Sequence, residues 1–529
     1  LRVPPMNVRS ALQRAQRQRA LLLLSALALV HCAPTRSMPG SNPAKERPMD
    51  PEAIATWAVE HTPELRPASQ ANAADAAPPP PISLVRAHSL GDPTAQNPAG
   101  LRVLHYRLAN GLQVVLLEDH SAPVFAFQTW FAVGSRNERP GITGIAHLFE
   151  HLMFKETRNL GPGEFDTIME AHGAETNAAT WLDWTMYREE LPAGHLPLVV
   201  RLEADRMEHM ILGPEQVESE REVVKNERRY RVDNDPEGTM FEALYALAFT
   251  RHPYRWPTIG WMKDLNAITL DDCLAFYRTF YAPNNAALVI VGDIASEQAL
   301  ALVNAYYGHM PAAELPDSEF PEEPPQERER RRLLTMPLSS PKLLYGYRTP
   351  EMKAPDHAAL QVLHQILLEG RSSRLYQRLV VKDETVAEAS GWVGEFADPS
   401  LYEILLTLKP DADREQVEHA LDAELARLRE TQVTERELLK AQNQLEAQAL
   451  RQMQSMGDRA YGLGHTMTTM GTWLPLFTIT EHIRAVTADD VQAVARTYLK
   501  RNNRSVIIAV PQPIMPAPAS APDAGEEAP

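Results

Sequence analysis

His147 and His151 stand four residues apart in the segment from Gly144 to Phe154, with Glu150 three residues after the first histidine. A helix puts both imidazoles on one face, one turn apart. Two neutral ring nitrogens so placed reach one zinc ion at about 2.0–2.1 Å. Glu150 lies on the same side, where a carboxylate beside the open metal position takes a proton from water. The bland reading of such a histidine pair is a buried or capping role. A catalytic zinc needs a third protein ligand and an open position. The candidates lie in the segment Glu220 to Arg228. Glu220 and Glu227 are seven apart and share one helix face, while Glu222 is rotated away. A glutamate on a charged helix is ordinarily solvated, so at this level the third ligand stays open.

The elements around these residues mix strands and helices. Val103–Arg107 and Leu112–Glu118 flank Asn110-Gly111, a strong hairpin signal. Val124–Val133 and Thr176–Tyr187 read as strands. Helical patterns follow from Leu196 to Met210 and from Pro214 to about Val232, the latter with proline in its first turn. Consecutive strands joined by a hairpin favour an antiparallel α+β layer over a parallel sheet.

A repeat divides the chain. The stretch Asp271–Asn285 aligns without a gap on Asp489–Asn503, an offset of 218. An Ala-x-Thr precedes each (Ala267/Thr269 and Ala485/Thr487), and an apolar strand follows each. This predicts two homologous domains, 101–310 and 333–511. Between them, 311–332 is rich in Pro and Glu and ends in the charge run Arg328–Arg332, which reads as a solvated linker.

The ends read differently. Residues 1–34 predict an export signal: Arg9, Arg14, Arg17 and Arg19 precede an apolar run, Ala20–Val30, too short to span a bilayer. Met6 is the expected start. Cys32, one residue beyond the run, predicts lipid attachment, although the intervening His31 is not the small residue such a signal prefers. The expected location is the bacterial periplasm, free or anchored to a membrane. Residues 35–100 read as an Ala/Pro-rich disordered tether and 512–529 as a disordered tail. Much of the excess of 43 prolines over 25 glycines lies in these ends and the linker.

Composition narrows the partners. The net charge of −17 argues against nucleic acid. Only Cys32 and Cys273 occur, which excludes a disulfide framework and a Cys-rich zinc site. Cys273 reads as buried filler, Trp181 and Trp184 as core residues, and His172, His252 and His364 as structural. Arg371–Arg374 reads as a loop and subunit contact.

His-x-x-Glu-His is the inverzincin order. Around it stand Val133–Glu138, Asn177–Thr180, His252-Pro253-Tyr254, Ile259-Gly260, Tyr281–Asn284, Val291-Gly292-Asp293 and Gly370–Leu375. On these motifs the chain, from about residue 101 to 511, resembles the pitrilysin/insulinase family of zinc metallopeptidases, in its short bacterial, processing-peptidase-like branch. The resemblance implies an α+β fold of two homologous domains, each a mainly antiparallel sheet flanked by helices, forming half of a clamshell chamber. It implies one zinc per chain held by His147, His151 and Glu227, with Glu150 as general base. Glu220 would orient a ligand histidine, and Asn177 and Ala178 would hold an extended peptide on an edge strand.

Two departures stand out. Glu156 replaces the glycine usual after Phe-Lys. Val380 and Ala387 stand where family peptidases carry the Arg and Tyr that stabilise the tetrahedral intermediate, and neither can donate to an oxyanion. The expectation is a zinc endopeptidase for peptides or unfolded segments. It would work as a heterodimer whose paralogous partner supplies the Arg and Tyr, with a homodimer as the alternative. A non-catalytic scaffold of the same family is the competing reading.

Overall fold

The computed structural model describes residues 82–90, 101–317 and 319–512. The export signal with Cys32, most of the tether and nearly all of the 512–529 tail lie outside the described residues. Two mixed sheets organise the rest. The first runs β1 (Ser83–Ser89), β2 (Arg102–Arg107), β3 (Gln113–Glu118), β7 (Ala286–Gly292), β4 (Val124–Phe131), β6 (Thr185–Pro192), β5 (Glu175–Thr180). The second runs β10 (Val386–Val393), β11 (Ser400–Leu408), β9 (Lys342–Thr349), β12 (Arg504–Pro511), β8 (Arg330–Met336). All pairings are antiparallel except β3 with β7 and β8 with β12.

Read from β3 to β5, the first sheet has the order and strand directions of the second read from β8 to β10. The sequence repeat has a matching local cause. Thr269 and Asp272 form a reciprocal capping box on helix Leu270–Phe280, and Thr487 and Asp490 do the same on Ala488–Tyr498. At the far ends, Asn285 Nδ2 donates to the Phe280 carbonyl and Asn503 Nδ2 to the Tyr498 carbonyl, at 2.8 and 2.7 Å. The repeated Thr, Asp and Asn therefore serve helix ends, where orphan backbone groups need partners.

Each half lends a helix to the other's sheet. Helix Pro236–Ala248 places Met240, Ala243, Leu244 and Ala248 against Leu344, Leu401, Leu405 and Ile507 of the second sheet. Helix Met456–Met470 lays Met456, Ala460 and Leu463 on Val115, Ala126, Trp130 and Val289 of the first. Gly464 permits that approach, because a Cβ there would lie 2.1 Å from Trp130 Nε1. Trp184 is buried beside Trp130, Trp181 stacks on Phe396, and Cys273 is fully buried.

Two expectations about the tether and the linker need correction. The predicted tether contains β1, which pairs antiparallel with β2, while His88 packs on Trp473 and Phe477. Backbone pairing and two ring contacts of His88 order this strand despite its exposed side chains. The linker's charge run likewise passes into β8. Arg331 and Arg332 are exposed, but their backbone pairs with Val506 and Ile507 of β12. Helix Pro214–Arg228 also ends earlier than its pattern suggests and gives way to one π turn, Arg229–Asp233.

Candidate metal centre

Helix Ile145–Leu152 carries the histidine pair, and its start is closely specified. Gly144 adopts φ of +92°, and a Cβ there would meet the Ile259 carbonyl at 2.6 Å. The buried Glu138 carboxylate accepts from the Gly144 and Ala146 backbone N–H groups, both at 2.9 Å. It satisfies two orphan donors at the positive end of the helix. The Glu138 and Ile259-Gly260 motifs thus position the helix.

Helix Pro214–Arg228 packs across it and brings Glu227 to the histidines. Glu227 Oε2 lies 3.5 Å from His147 Nε2 and 3.4 Å from His151 Nε2. A tetrahedron with metal bonds of about 2.0 Å has edges of about 3.3 Å, close to these two separations, and the ligand atoms of all three side chains lie within 4.8 Å of one another. Among the described residues, His147, His151 and Glu227 are the one group of three such side chains close enough to share an ion. Both ring nitrogens of His147, Glu227 Oε2 and Glu150 Oε2 are buried with no hydrogen-bond partner. A donor set of two imidazoles and one carboxylate suits zinc chemically.

The electrostatics fit a cation. Burial pushes the His147 pKa down to about 3, leaving a neutral ring that can ligate. Burial opposes charge on His151 as well, but the Glu220 and Glu227 carboxylates outweigh it and raise its pKa to about 9. A cation would compete with that proton. Glu227 is held down at about 2, burial being overcome by His151, His147 and Arg231. Burial raises Glu150 to about 7, close to the range in which a group both takes and returns a proton.

Glu220 stands behind this group rather than in it. Its Oε2 is 3.5 Å from His151 Nδ1, and its Oε1 accepts from Lys155 Nζ at 2.6 Å. Glu156 accepts a hydrogen bond from Gln216 at the start of the Glu227 helix. Residues 155 and 156 thus grip that helix, a role the Phe-Lys-Glu wording alone did not disclose. Arg231 was also missed: its Nε donates to Glu227 Oε1 at 2.9 Å. The signal available was its position four residues after Glu227.

Asn177 and Ala178 lie on β5, which pairs with β6 on one side and forms the edge of its sheet. Asn177 Oδ1 accepts from the Ala178 N–H at 2.8 Å. In the second half, Val380 packs against the core and Ala387 is exposed on β10.

Residues 113–260 match the family described as Insulinase (Peptidase family M16), and residues 267–445 match the Peptidase M16 inactive domain. The second match begins before β7, a strand of the first sheet. The zinc protease PqqE of Helicobacter pylori is 31% identical over 410 residues, covering 76% of this chain and 92% of the relative. The mitochondrial-processing peptidase subunit beta of Lentinula edodes is 25% identical over 406 residues, covering 74% and 86%. A solved Helicobacter pylori protease superposes with a TM-score of 0.74 at 29% identity, over 78% of this chain and 99% of that one.

Proposed function

Because the chain belongs to the insulinase family, peptidase family M16, we propose that it is a zinc-dependent endopeptidase for peptides or unfolded segments. The observation that carries this reading is the meeting of His147, His151 and Glu227 within ligand reach of one another, with both His147 ring nitrogens and Glu227 Oε2 buried and lacking a hydrogen-bond partner. Each such orphan costs about 1–3 kcal/mol. A scaffold, the competing reading, has no use for that cost.

His147, His151 and Glu227 would hold the zinc. When bound, it supplies a Lewis acid that polarises a peptide carbonyl and acidifies water. Glu150 then holds the transferred proton at Oε2, its unpartnered oxygen. The Thr180 hydroxyl at the end of β5 bonds to the same carboxylate and orients it. Glu220, gripped by Lys155, faces His151 Nδ1 and keeps Nε2 turned toward Glu227. An extended peptide would add as a strand along β5 past Asn177 and Ala178, so main-chain pairing gives sequence-tolerant affinity.

Val380 and Ala387 have no side-chain donor, which supports a paralogous partner bringing the Arg and Tyr; two copies of this chain would still lack them. The basic and apolar start of the chain supports export, with lipid attachment at Cys32. The central test is Glu150→Gln. Metal analysis should find zinc retained while peptide cleavage drops by about 10²–10⁴-fold, the usual contribution of a general base. Undiminished turnover overturns the assigned base. Full cleavage by the monomeric chain alone overturns the partner.

A further inference from the structure

Arg231 sits on the shoulder of the centre. The π turn Arg229–Asp233 directly follows the helix bearing Glu227, and such turns occur often at functional sites. Its Nε is committed to Glu227 Oε1 at 2.9 Å. Its Nη1 is buried and has no hydrogen-bond partner. Seven other arginines have a buried, unpartnered guanidinium atom, and in each it is Nε, which carries one hydrogen. Among the described residues, Arg231 alone has a buried terminal nitrogen left over, with two hydrogens to give. A buried charged donor without an acceptor is costly. The same region holds the unpartnered Glu150 Oε2, and the Arg231 charge bears on both His147 and Glu150. The second half has no counterpart: 218 positions later stands Ala449, inside the regular helix Glu435–Gln452.

Resting on the peptidase reading above, we propose that Arg231 is a further catalytic residue, whose Nη1 donates to the carbonyl oxygen of the scissile peptide bond as that oxygen gains negative charge. Glu227 fixes the guanidinium through Nε, so the free nitrogen is oriented before substrate arrives. Pre-set donors of this kind act where charge develops rather than on the resting peptide. One oxyanion donor then comes from this chain, and a partner's Arg and Tyr add to it.

The test compares two probes on the zinc-loaded full chain. One is a fluorescent phosphinic peptide, which carries a tetrahedral anionic centre at the position of the scissile bond. The other is the corresponding ordinary peptide, bound in a Glu150→Gln background. Arg231→Gln should weaken the phosphinic peptide by about 10²–10³-fold, the usual effect of one oxyanion donor. The ordinary peptide and zinc affinity, read by chelator competition, should change far less. Arg231→Lys keeps a cation beside Glu227 but not the forked nitrogen; it should hold zinc as the wild type does and still bind the phosphinic peptide weakly. Equal weakening of both peptides, no weakening, or loss of zinc in parallel with the phosphinic peptide overturns this inference alone. A wild-type chain that takes up no zinc overturns the peptidase reading and this inference with it.

Discussion

Helices Ile145–Leu152 and His357–Leu367 occupy equivalent places in two copies of one architecture, each packed on a long helix from its own half. At an offset of 216, His147, Glu150 and His151 correspond to Leu363, Ile366 and Leu367. At an offset of 218, Glu220 and Glu227 correspond to Leu438 and Leu445. The five apolar residues belong to or pack against a single cluster, with Leu363 and Leu367 fully buried. The same space is thus filled by hydrocarbon in one half and by polar side chains in the other, several of whose buried atoms lack a hydrogen-bond partner. The difference separates what the fold needs from what chemistry needs. The architecture is satisfied by leucines, so the polar set in the first half is a cost that the fold itself does not require.

Making the first half like the second is the strongest challenge. His147→Leu, His151→Leu, Glu220→Leu and Glu227→Leu together should abolish zinc uptake and cleavage. The change adds apolar packing but strips Lys155 and Arg231 of their carboxylate partners, so Tm should fall. Metal analysis and thermal melts decide it; retained zinc refutes the ligand set. The reverse change is the next largest. Ile366→Glu buries a carboxylate without partners and should lower stability by about 3–5 kcal/mol at neutral pH. Its folded pKa would be raised, so stability should recover as the pH falls; urea midpoints across pH measure this.

The seam between the halves offers a smaller effect. Glu323 accepts from the backbone N–H groups of Thr250, Arg251 and His252 and from Arg348. These partners outweigh burial and hold its pKa down at about 2. A depressed carboxylate stabilises above its ordinary pKa near 4.5, and that stabilisation fades as pH falls toward 2. Glu323→Gln should cost about 1.5–3 kcal/mol at pH 7, less at pH 3, by chemical denaturation. An equal cost at both pH values removes the charge from the explanation. The smallest test addresses the repeat itself. Thr269→Ala and Thr487→Ala should each cost about 1 kcal/mol, since each removes one capping box. Clearly unequal losses would show that the copies have diverged in energy as well as in chemistry.

Much of this was legible locally. Helix periodicity places His147, Glu150 and His151 together, and the Thr/Asp/Asn repeat encodes two equivalent helix ends. The motif around Glu138 was visible, but its role as a cap for the metal helix was not. Strand β1 was misread because its order depends on β2 and on Trp473 and Phe477, far along the chain.

By itself the sequence determined which residues share a face, where the helices begin, and that the chain contains one architecture twice. Those properties follow from backbone periodicity and hydrogen bonds spanning a few residues. Only the tertiary structure decided that Glu227 meets two histidines 80 and 76 residues earlier, that each half covers the other's sheet, and that Arg231 keeps a buried nitrogen without a hydrogen-bond partner. Those outcomes depend on how packed surfaces bring distant segments together, which spacing within one element does not specify.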